Sequence, residues 1–221
     1  MSDSSRAATL SLIETTGVVA VIRLDDPAAL RETCDALAAG GVRALEVTMT
    51  VPRAVELIEQ LSSSLPPGFA VGAGTVLDPE TARRVILAGA KFVVSPVFRP
   101  EVIDVARIHD VAVMPGCFTP TEILAAWDAG ADIVKVFPAT ALGPGFFKDV
   151  HGPLPQVRLM PTGGVTRDNA GDWIKAGAAA IGVGTALVDK KAIKAGRFDE
   201  ITRNAAHFIG AVRRARGLEG V

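Results

Sequence analysis

The sequence predicts an α/β protein folded as a (β/α)8, or TIM, barrel with a helix ahead of the first strand. Short β-branched or apolar runs alternate with helical segments about every 20 to 25 residues. Four of the helical segments end in Ala-Gly, within "ALAAGG", "VILAGA", "AWDAGA" and "WIKAGA", where the glycine suits a left-handed helix cap. Eight strands can be counted, and eight strands separated by helices close such a barrel.

The predicted strands and helices alternate along the whole chain. The strands lie at residues 18–23, 43–49, 70–74, 92–95, 112–115, 133–137, 158–161 and 180–183. The helices between them begin near Pro27, Pro52, Pro79, Pro100, Pro120, Gly145 and Arg167, and a last helix at 199–216 closes the ring. Proline suits the first helical turn, because its missing N–H would be unpaired there. An open, doubly wound sheet is the alternative, but it usually has fewer strands, and no GxGxxG motif follows the first strand.

Size and composition predict one domain over residues 1–221 and argue against nucleic acid and membranes as partners. The chain has 221 residues, of which 49% are hydrophobic, enough for one substantial core. Its 23 basic and 24 acidic residues form no charge block, so nucleic acid and anionic membrane surfaces are poor partners. No apolar run reaches the about 20 residues of a membrane-spanning helix. The N-terminus has no secretory pattern and only two cysteines are present, so we expect a cytoplasmic protein.

Lys135 stands inside the apolar run "IVKVFP", which is predicted to form the sixth strand. Side chains alternate across a strand, so Val134 and Val136 share one face while Ile133, Lys135 and Phe137 share the other. The valine face suits the surrounding helix layer, and the other face then points to the barrel axis. Lys135 is therefore expected near the C-terminal end of its strand, where barrel enzymes carry their active sites.

Glu46 is predicted to share the barrel interior with Lys135. In "ALEVTMT" the same alternation turns Glu46 inward near the same end of the second strand. Burial would lower the pKa of the lysine, and a neutral amine can attack a ketone to form a Schiff base while a carboxylate moves protons. The alternative is a buried Lys135–Glu46 ion pair with no chemical role, although such pairs are weak stabilisers.

Glycine-rich segments follow three of the strands. "MPTGGVTRDN" after the seventh contains Gly163 and Gly164, and "IGVGTALV" after the eighth contains Gly184 and Thr185. Barrel enzymes often bind phosphate with these two loops, because glycines let backbone N–H groups approach an anion. Each motif alone could be a tight turn, but together they predict a phosphate-bearing substrate. "VGAGTVLDP" after the third strand carries Thr75 at the same end.

Taken together, the motifs identify a known family. "LEVT", "VGAGTVL", "VSP", "MPGCFTPTE", "VKVFPA", "PTGGV" and "IGVGTALV" resemble, in the same order, segments of 2-keto-3-deoxy-6-phosphogluconate (KDPG) aldolases. That family includes the 4-hydroxy-2-oxoglutarate (KHG) aldolases, and the resemblance covers roughly residues 12–190. It implies a class I, Schiff-base aldolase on a (β/α)8 barrel, usually a homotrimer. The three histidines show no metal-ligand spacing, so we expect neither a metal nor a cofactor.

The resemblance also implies roles for individual residues near the reacting carbon. Lys135 matches the Schiff-base former and Glu46 the general acid/base. Thr75 and Pro96 match positions around the pyruvate moiety, and Phe137 packs beside it.

Further matches concern the rest of the substrate. Thr162 matches a position tied to stereochemical preference for the gluconate-type substrate. Gly163, Gly164, Gly184 and Thr185 match the phosphate loops.

The chain departs from the family pattern at Thr50. Some members carry an arginine four residues after the catalytic glutamate, where it helps to bind the substrate anion, and this chain has Thr50 there. The chain resembles a second branch, in which an arginine at the end of the first strand is present instead, and Arg23 fits that position. The alternative for Arg23 is a surface salt bridge to Asp25 or Asp26. Arg53, a turn into the next helix, is a weaker substitute.

The expected reaction cleaves KDPG to pyruvate and glyceraldehyde 3-phosphate. A second expected substrate is KHG, which gives pyruvate and glyoxylate, and a third is the galactonate-type phosphosugar acid, against which Thr162 argues. Two other classes stay open: a phosphosugar isomerase or epimerase, and a phosphosugar-binding barrel without activity. Neither needs an inward lysine as nucleophile, so the variant Lys135→Ala should separate them from an aldolase.

Overall fold

A computed structural model describes residues 5–24 and 29–218 of the chain. Nine strand segments follow one another: β1 (Val18–Ile22), β2 (Ala44–Thr48), β3 (Ala70–Gly74), β4 (Phe92–Val94), β5 (Ala112–Met114), β6 (Gly116–Cys117), β7 (Val134–Val136), β8 (Leu159–Pro161) and β9 (Ile181–Val183). Every ladder between them is parallel. The eight predicted strands are all present, most of them shorter by one or two residues.

The barrel closes through two seams. The strand order is β5-β4-β3-β2-β1-β9 in one sheet and β6-β7-β8 in the other. A parallel bridge between Thr162 and Gly182 joins β8 to β9. At the second seam β5 lies within the predicted strand 112–115, and β6, which was not predicted, follows directly after Pro115. Proline has no N–H to donate, so the ladder is interrupted there. The carbonyl of Pro115 still accepts from the Lys135 N–H at 2.9 Å, which holds the pieces in one wall.

The helices lie between the strands along the chain. They are α1 (Ser5–Thr16), α2 (Leu30–Ala39), α3 (Ala54–Ser64), α4 (Pro79–Leu87), α5 (Pro100–Ile108), α6 (Pro120–Asp128), α7 (Gly145–His151), α8 (Ala170–Lys175), α9 (Lys190–Lys194) and α10 (Phe198–Ala215). No described helix is long and apolar enough to cross a membrane.

The predicted helix starts are right at Pro79, Pro100, Pro120 and Gly145. The start near Pro27 falls outside the described residues. The other two begin later than predicted, α3 two residues after Pro52 and α8 three residues after Arg167, because turns precede both helices. The short helix α9 and a 3-10 turn at Ala139–Ala141 were not predicted. Both are too short for a helical hydrophobic pattern to develop.

Four Ala-Gly helix ends have the expected left-handed glycine. Gly41, Gly89, Gly130 and Gly177 have φ of 94°, 102°, 97° and 102°. A residue with a β-carbon would be strained at these angles, and each glycine lets the chain turn directly into the next strand.

Buried apolar side chains form two separate clusters. The outer cluster lies between strands and helices and contains the valines that face outward, such as Val134 and Val136. The inner cluster contains the alternate residues of the strands, among them Phe92, Met114 and Ile133. Ile13 of α1 belongs to this inner cluster, so α1 covers the N-terminal end of the barrel. The opposite end carries the side chains described next.

Candidate active site

Lys135 and Glu46 lie inside the barrel, toward the C-terminal ends of β7 and β2. Their exposed fractions are 3% and 1%. Ile133, two residues before Lys135, packs in the inner cluster, and Ala44, two residues before Glu46, does the same. Strand alternation therefore turns both charged side chains toward the barrel axis, above an apolar floor that includes Phe92.

Burial moves the pKa values of these two groups toward each other. Desolvation raises the pKa of Glu46, and the positive charges of Lys135 and Arg23 oppose that rise. Desolvation lowers the pKa of Lys135, Arg23 lowers it further, and Glu46 opposes the change. The site thus favours a neutral amine beside a carboxyl group that can hold a proton.

The pair does not behave as a structural ion pair. Within the described parts of the chain, no salt bridge joins Lys135 to Glu46, and Glu46 Oε2 has no hydrogen-bond partner. The Lys135 Nζ lies instead 4.8 Å from the centre of the Phe137 ring. The contact places the amine beside the aromatic face of Phe137 and not in an ion pair with a carboxylate.

Space for the Glu46 carboxylate comes from a neighbouring glycine. Gly74, paired across the ladder with Thr48, would place a β-carbon on top of Glu46 Oε1. Thr48, fully buried above Glu46 on the same face, pairs its hydroxyl with that of Thr50 at 2.7 Å. Thr50, where some members of the resembling family have arginine, is therefore bonded back to β2.

An open cavity of about 110 Å³ lies beside the pair at the C-terminal end of the barrel. Seven of the predicted site residues line it: Arg23, Phe137, Thr162, Gly163, Gly164, Gly184 and Thr185. Arg23 is exposed, and the two acidic residues considered as its surface partners lie outside the described residues. The Thr162 Oγ1 is buried and has no hydrogen-bond partner among the described residues. The cavity thus combines the Arg23 guanidinium, two glycine loops and a hydroxyl.

Four predicted site residues do not line this cavity. Lys135 and Glu46 lie deeper in the barrel, Thr75 follows β3 and Pro96 follows β4. Thr75 is partly buried with φ of 60°, a left-handed conformation that is strained for a β-branched residue. Strained residues of this kind cluster at functional sites.

Four residues that were not predicted also line the cavity. They are Val21, Val165, Gly182 and Ala186. Gly182 stands in the "IGVGTALV" motif and leaves room for the Thr162 hydroxyl, which a β-carbon would contact. The alternation in β1 could have found Val21, which pairs with Glu46 across the ladder.

No group of three His, Cys, Asp or Glu side chains within residues 5–24 and 29–218 could hold a metal ion.

Comparison with known proteins decides the family. The model of the family described as "KDPG and KHG aldolase" matches residues 10–204. The chain belongs to this aldolase family. Its members are carbon–carbon lyases, so the chain is an aldolase with the barrel fold expected from its motifs.

Relatives within the KDPG and KHG aldolase family differ in their substrates. A 2-dehydro-3-deoxy-phosphogluconate aldolase of Pseudomonas aeruginosa is 36% identical over 187 residues, which is 84% of each chain. A 2-dehydro-3-deoxy-6-phosphogalactonate aldolase of Escherichia coli is 34% identical over 200 residues, 90% of this chain and 95% of the relative. Relatives of nearly equal similarity to this chain are thus named for two different sugar acids.

A solved structure links the family to covalent chemistry. The KDPG aldolase of Legionella pneumophila, captured with pyruvate as a covalent carbinolamine, superposes with a TM-score of 0.83 at 30% identity. The match covers 89% of this aldolase and 96% of the Legionella chain.

Proposed function

We propose that this aldolase is a class I enzyme that cleaves KDPG to pyruvate and glyceraldehyde 3-phosphate, with Lys135 forming the Schiff base. The observation that carries the proposal is the burial of Lys135 and Glu46 together, without an ion pair, next to the cavity. Burying charged groups costs free energy, and an apolar pair would pack as well. An amine with a lowered pKa is a nucleophile, which accounts for that cost.

The first half of the reaction forms the iminium. The neutral Lys135 Nζ attacks the C2 ketone, and Glu46 delivers a proton to the carbonyl oxygen, giving a carbinolamine. A second proton reaches that oxygen through Glu46, water leaves, and a C=N bond forms. Desolvation raises the pKa of Glu46, so its carboxyl group holds a proton more readily than an exposed glutamate and can deliver it to the oxygen.

The second half breaks the carbon–carbon bond. Glu46 takes the proton of the C4 hydroxyl, directly or through a water, and the aldehyde forms. The electron pair of the C3–C4 bond moves into the iminium and leaves an enamine of pyruvate on Lys135. Protonation at C3 and hydrolysis then release pyruvate and restore the amine.

The cavity accounts for the rest of the substrate. Arg23 and the glycine loops at Gly163–Gly164 and Gly184–Thr185 would hold the phosphate, because cations and backbone N–H groups both bind anions. The buried Thr162 hydroxyl would bond a sugar hydroxyl between the phosphate and the reacting carbon.

Thr75 and Pro96, at the ends of β3 and β4, would contact the pyruvate moiety, and Phe137 would pack beside it. These two ends lie around the barrel from the phosphate cavity. The substrate would therefore extend across the barrel mouth, with its keto acid toward β3 and its phosphate toward β8 and β9.

Galactonate-type acid and KHG are the competing substrates. The relative named as a 2-dehydro-3-deoxy-6-phosphogalactonate aldolase favours the first, and Thr162 favours the gluconate type. Cleavage of each acid, followed through the pyruvate released, would rank them. A kcat/KM for KDPG below that for either competitor would overturn the substrate assignment.

The decisive test of the chemistry is borohydride trapping. The protein is incubated with pyruvate, reduced, and examined by intact mass and peptide mapping. We expect one pyruvate adduct on Lys135, none in Lys135→Met, and an unchanged adduct in the control Lys91→Met, because Lys91 precedes β4 at the other end of the barrel. A folded protein that gives no adduct would rule out the Schiff-base mechanism.

We also propose that the protein is a homotrimer, as the family resemblance implies, and that it is cytoplasmic, which its only two cysteines favour. Size-exclusion chromatography with light scattering should give three times the mass of the chain, and a monomer mass would contradict the proposal.

A further inference from the structure

Asn169 holds the loop that connects β8 to α8. Its Nδ2 donates to the Gly164 carbonyl at 2.9 Å, and its Oδ1 accepts from the Thr166 N–H at 2.8 Å. Its own N–H donates to the Thr166 hydroxyl at 3.3 Å. Because a carbonyl can only accept and an N–H can only donate, a single orientation of the amide satisfies both side-chain bonds.

The loop is also fixed from the other side. Gly163 and Gly164 have φ of 83° and 75°, which are accessible to glycine with little strain. A β-carbon on Gly164 would lie 2.8 Å from the Thr140 Cα, so the backbone packs directly on the 3-10 turn after β7. Gly164 is thus held between Thr140 on one side and Asn169 on the other.

The orientation of one peptide unit follows from this arrangement. The Gly164–Val165 peptide is planar and trans, so its carbonyl and its N–H point in opposite directions. Gly164 and Val165 both line the cavity with Arg23 and Thr185. If the peptide turned over, the cavity would gain a carbonyl oxygen, which repels an anion, in place of an N–H, which attracts one. Asn169 donates a hydrogen bond to that carbonyl oxygen, so turning the peptide over would break this bond.

We propose that Asn169 is a positioning residue for the phosphate end of the substrate site. It acts through the Gly164–Val165 peptide and touches neither the reacting carbons nor Lys135. This inference depends on the proposed function, since it assumes a phosphorylated substrate in the cavity. It adds a residue outside the cavity that determines how the cavity binds an anion.

The test compares two variants with matched controls. Asn169→Ala removes both side-chain bonds, and Asn169→Asp keeps the acceptor for Thr166 but sets a carboxylate against the Gly164 carbonyl. Asn204→Ala and Asn204→Asp are the controls, because Asn204 lies on α10 and its Oδ1 accepts from the guanidinium of Arg167 at 3.4 Å. For each variant we would measure kcat and KM with KDPG, inhibition by inorganic phosphate, and trapping by pyruvate, which has no phosphate.

We expect the KM for KDPG and the inhibition constant of inorganic phosphate to rise about fivefold to tenfold in Asn169→Ala, and further in Asn169→Asp. The kcat and the rate of pyruvate trapping should stay within twofold of wild type, and the Asn204 variants should match wild type throughout. Equal losses in kcat/KM for KDPG and in the rate of pyruvate trapping would reveal a merely structural role and overturn the proposal. So would an unchanged phosphate inhibition. Failure of the proposed function is distinct, since the wild-type protein itself would then neither cleave KDPG nor trap pyruvate.

Discussion

The carboxylate of Glu46 occupies the space in which a β-carbon on residue 74 would stand. Gly74 is the last residue of β3 and points into the barrel beside Glu46. Gly74, the second glycine of "VGAGTVL", is therefore explained by the side chain on the neighbouring strand. Its own backbone does not require glycine, because its φ is not positive.

Gly74→Ala should reduce activity far more than stability. The added methyl group must displace the Glu46 side chain, and misplacing a proton-transfer group by about 1 Å can cost about 100-fold in rate. We expect kcat/KM for KDPG to fall by about that factor. Gly72→Ala is the matched control, because a β-carbon there would meet the Phe92 ring instead.

The control Gly72→Ala should instead lose stability and keep its activity. Overpacking against Phe92 should lower the free energy of unfolding by about 1–3 kcal/mol, with activity retained in the folded fraction. Denaturant unfolding and steady-state kinetics on both variants would decide. Full activity in Gly74→Ala would mean that the position of Glu46 is not critical to the reaction.

Arg23 should determine the pH range in which the Schiff base forms. Its positive charge lowers the pKa of both Lys135 and Glu46. Arg23→Met removes that charge, so both pKa values should rise. Since only the neutral amine attacks pyruvate, the pH at which trapping is half-maximal should move upward.

The same variant should bind phosphate less well, because a charged hydrogen bond lost from the cavity costs about tenfold in affinity or more. Arg53→Met is the control, since that exposed arginine directly precedes α3 and pairs with Glu56 at 3.9 Å. The measurement is the initial rate of pyruvate trapping as a function of pH. An unshifted profile in Arg23→Met would show that its charge does not reach Lys135.

The strands, and the inward direction of the Lys135 and Glu46 side chains, could be predicted because residue types alternate with a period of two along the sequence. Valines alternate with other residue types in "IVKVF", and the two valines pack in the outer cluster. The Ala-Gly helix ends were predictable for a similar local reason, since left-handed caps select glycine.

Features that depend on distant parts of the chain could not be predicted. The break between β5 and β6 at Pro115 depends on the hydrogen bond that an N–H at this position would have made to a neighbouring strand. The room that Gly74 leaves for Glu46 is a relation between two strands. The Asn169 bonds join a side chain to loop backbone, and no periodicity marks them.

Thr75→Gly should make the protein more stable and less active. Thr75 has φ of 60°, and relief of such strain in a β-branched residue is worth about 1 kcal/mol or more. The proposed contact with pyruvate would lose its hydroxyl, which should lower kcat/KM about tenfold. Thermal unfolding and KDPG cleavage are the two measurements.

Asp110→Gly provides the comparison for Thr75. Asp110 has φ of 52° but follows α5 at the opposite end of the barrel. Aspartate tolerates this conformation better than threonine, so the gain in stability should be smaller, with no change in activity. If Thr75→Gly and Asp110→Gly kept equal activity, Thr75 would be no part of the substrate site.

Asp132 ties α1 to the base of the barrel, and its removal should destabilise the fold without altering the chemistry. Both of its carboxylate oxygens accept from Arg6, with the shortest bond at 2.7 Å, and Oδ2 also accepts from the Val113 N–H at 2.9 Å. Asp132 is only 8% exposed, so Asp132→Ala would leave a buried donor unpaired. We expect a loss of about 1–3 kcal/mol in the free energy of unfolding.

A surface pair gives the matched control for this bridge. Asp199 and Arg203 of α10 lie 2.6 Å apart, but both are well exposed, so Asp199→Ala should destabilise the fold much less than Asp132→Ala. Urea unfolding of both variants gives the comparison, and pyruvate trapping below the unfolding transition should match wild type in each. Since α1 covers the end of the barrel away from Lys135, a loss of trapping in folded Asp132→Ala would instead show that the barrel base and the site are coupled.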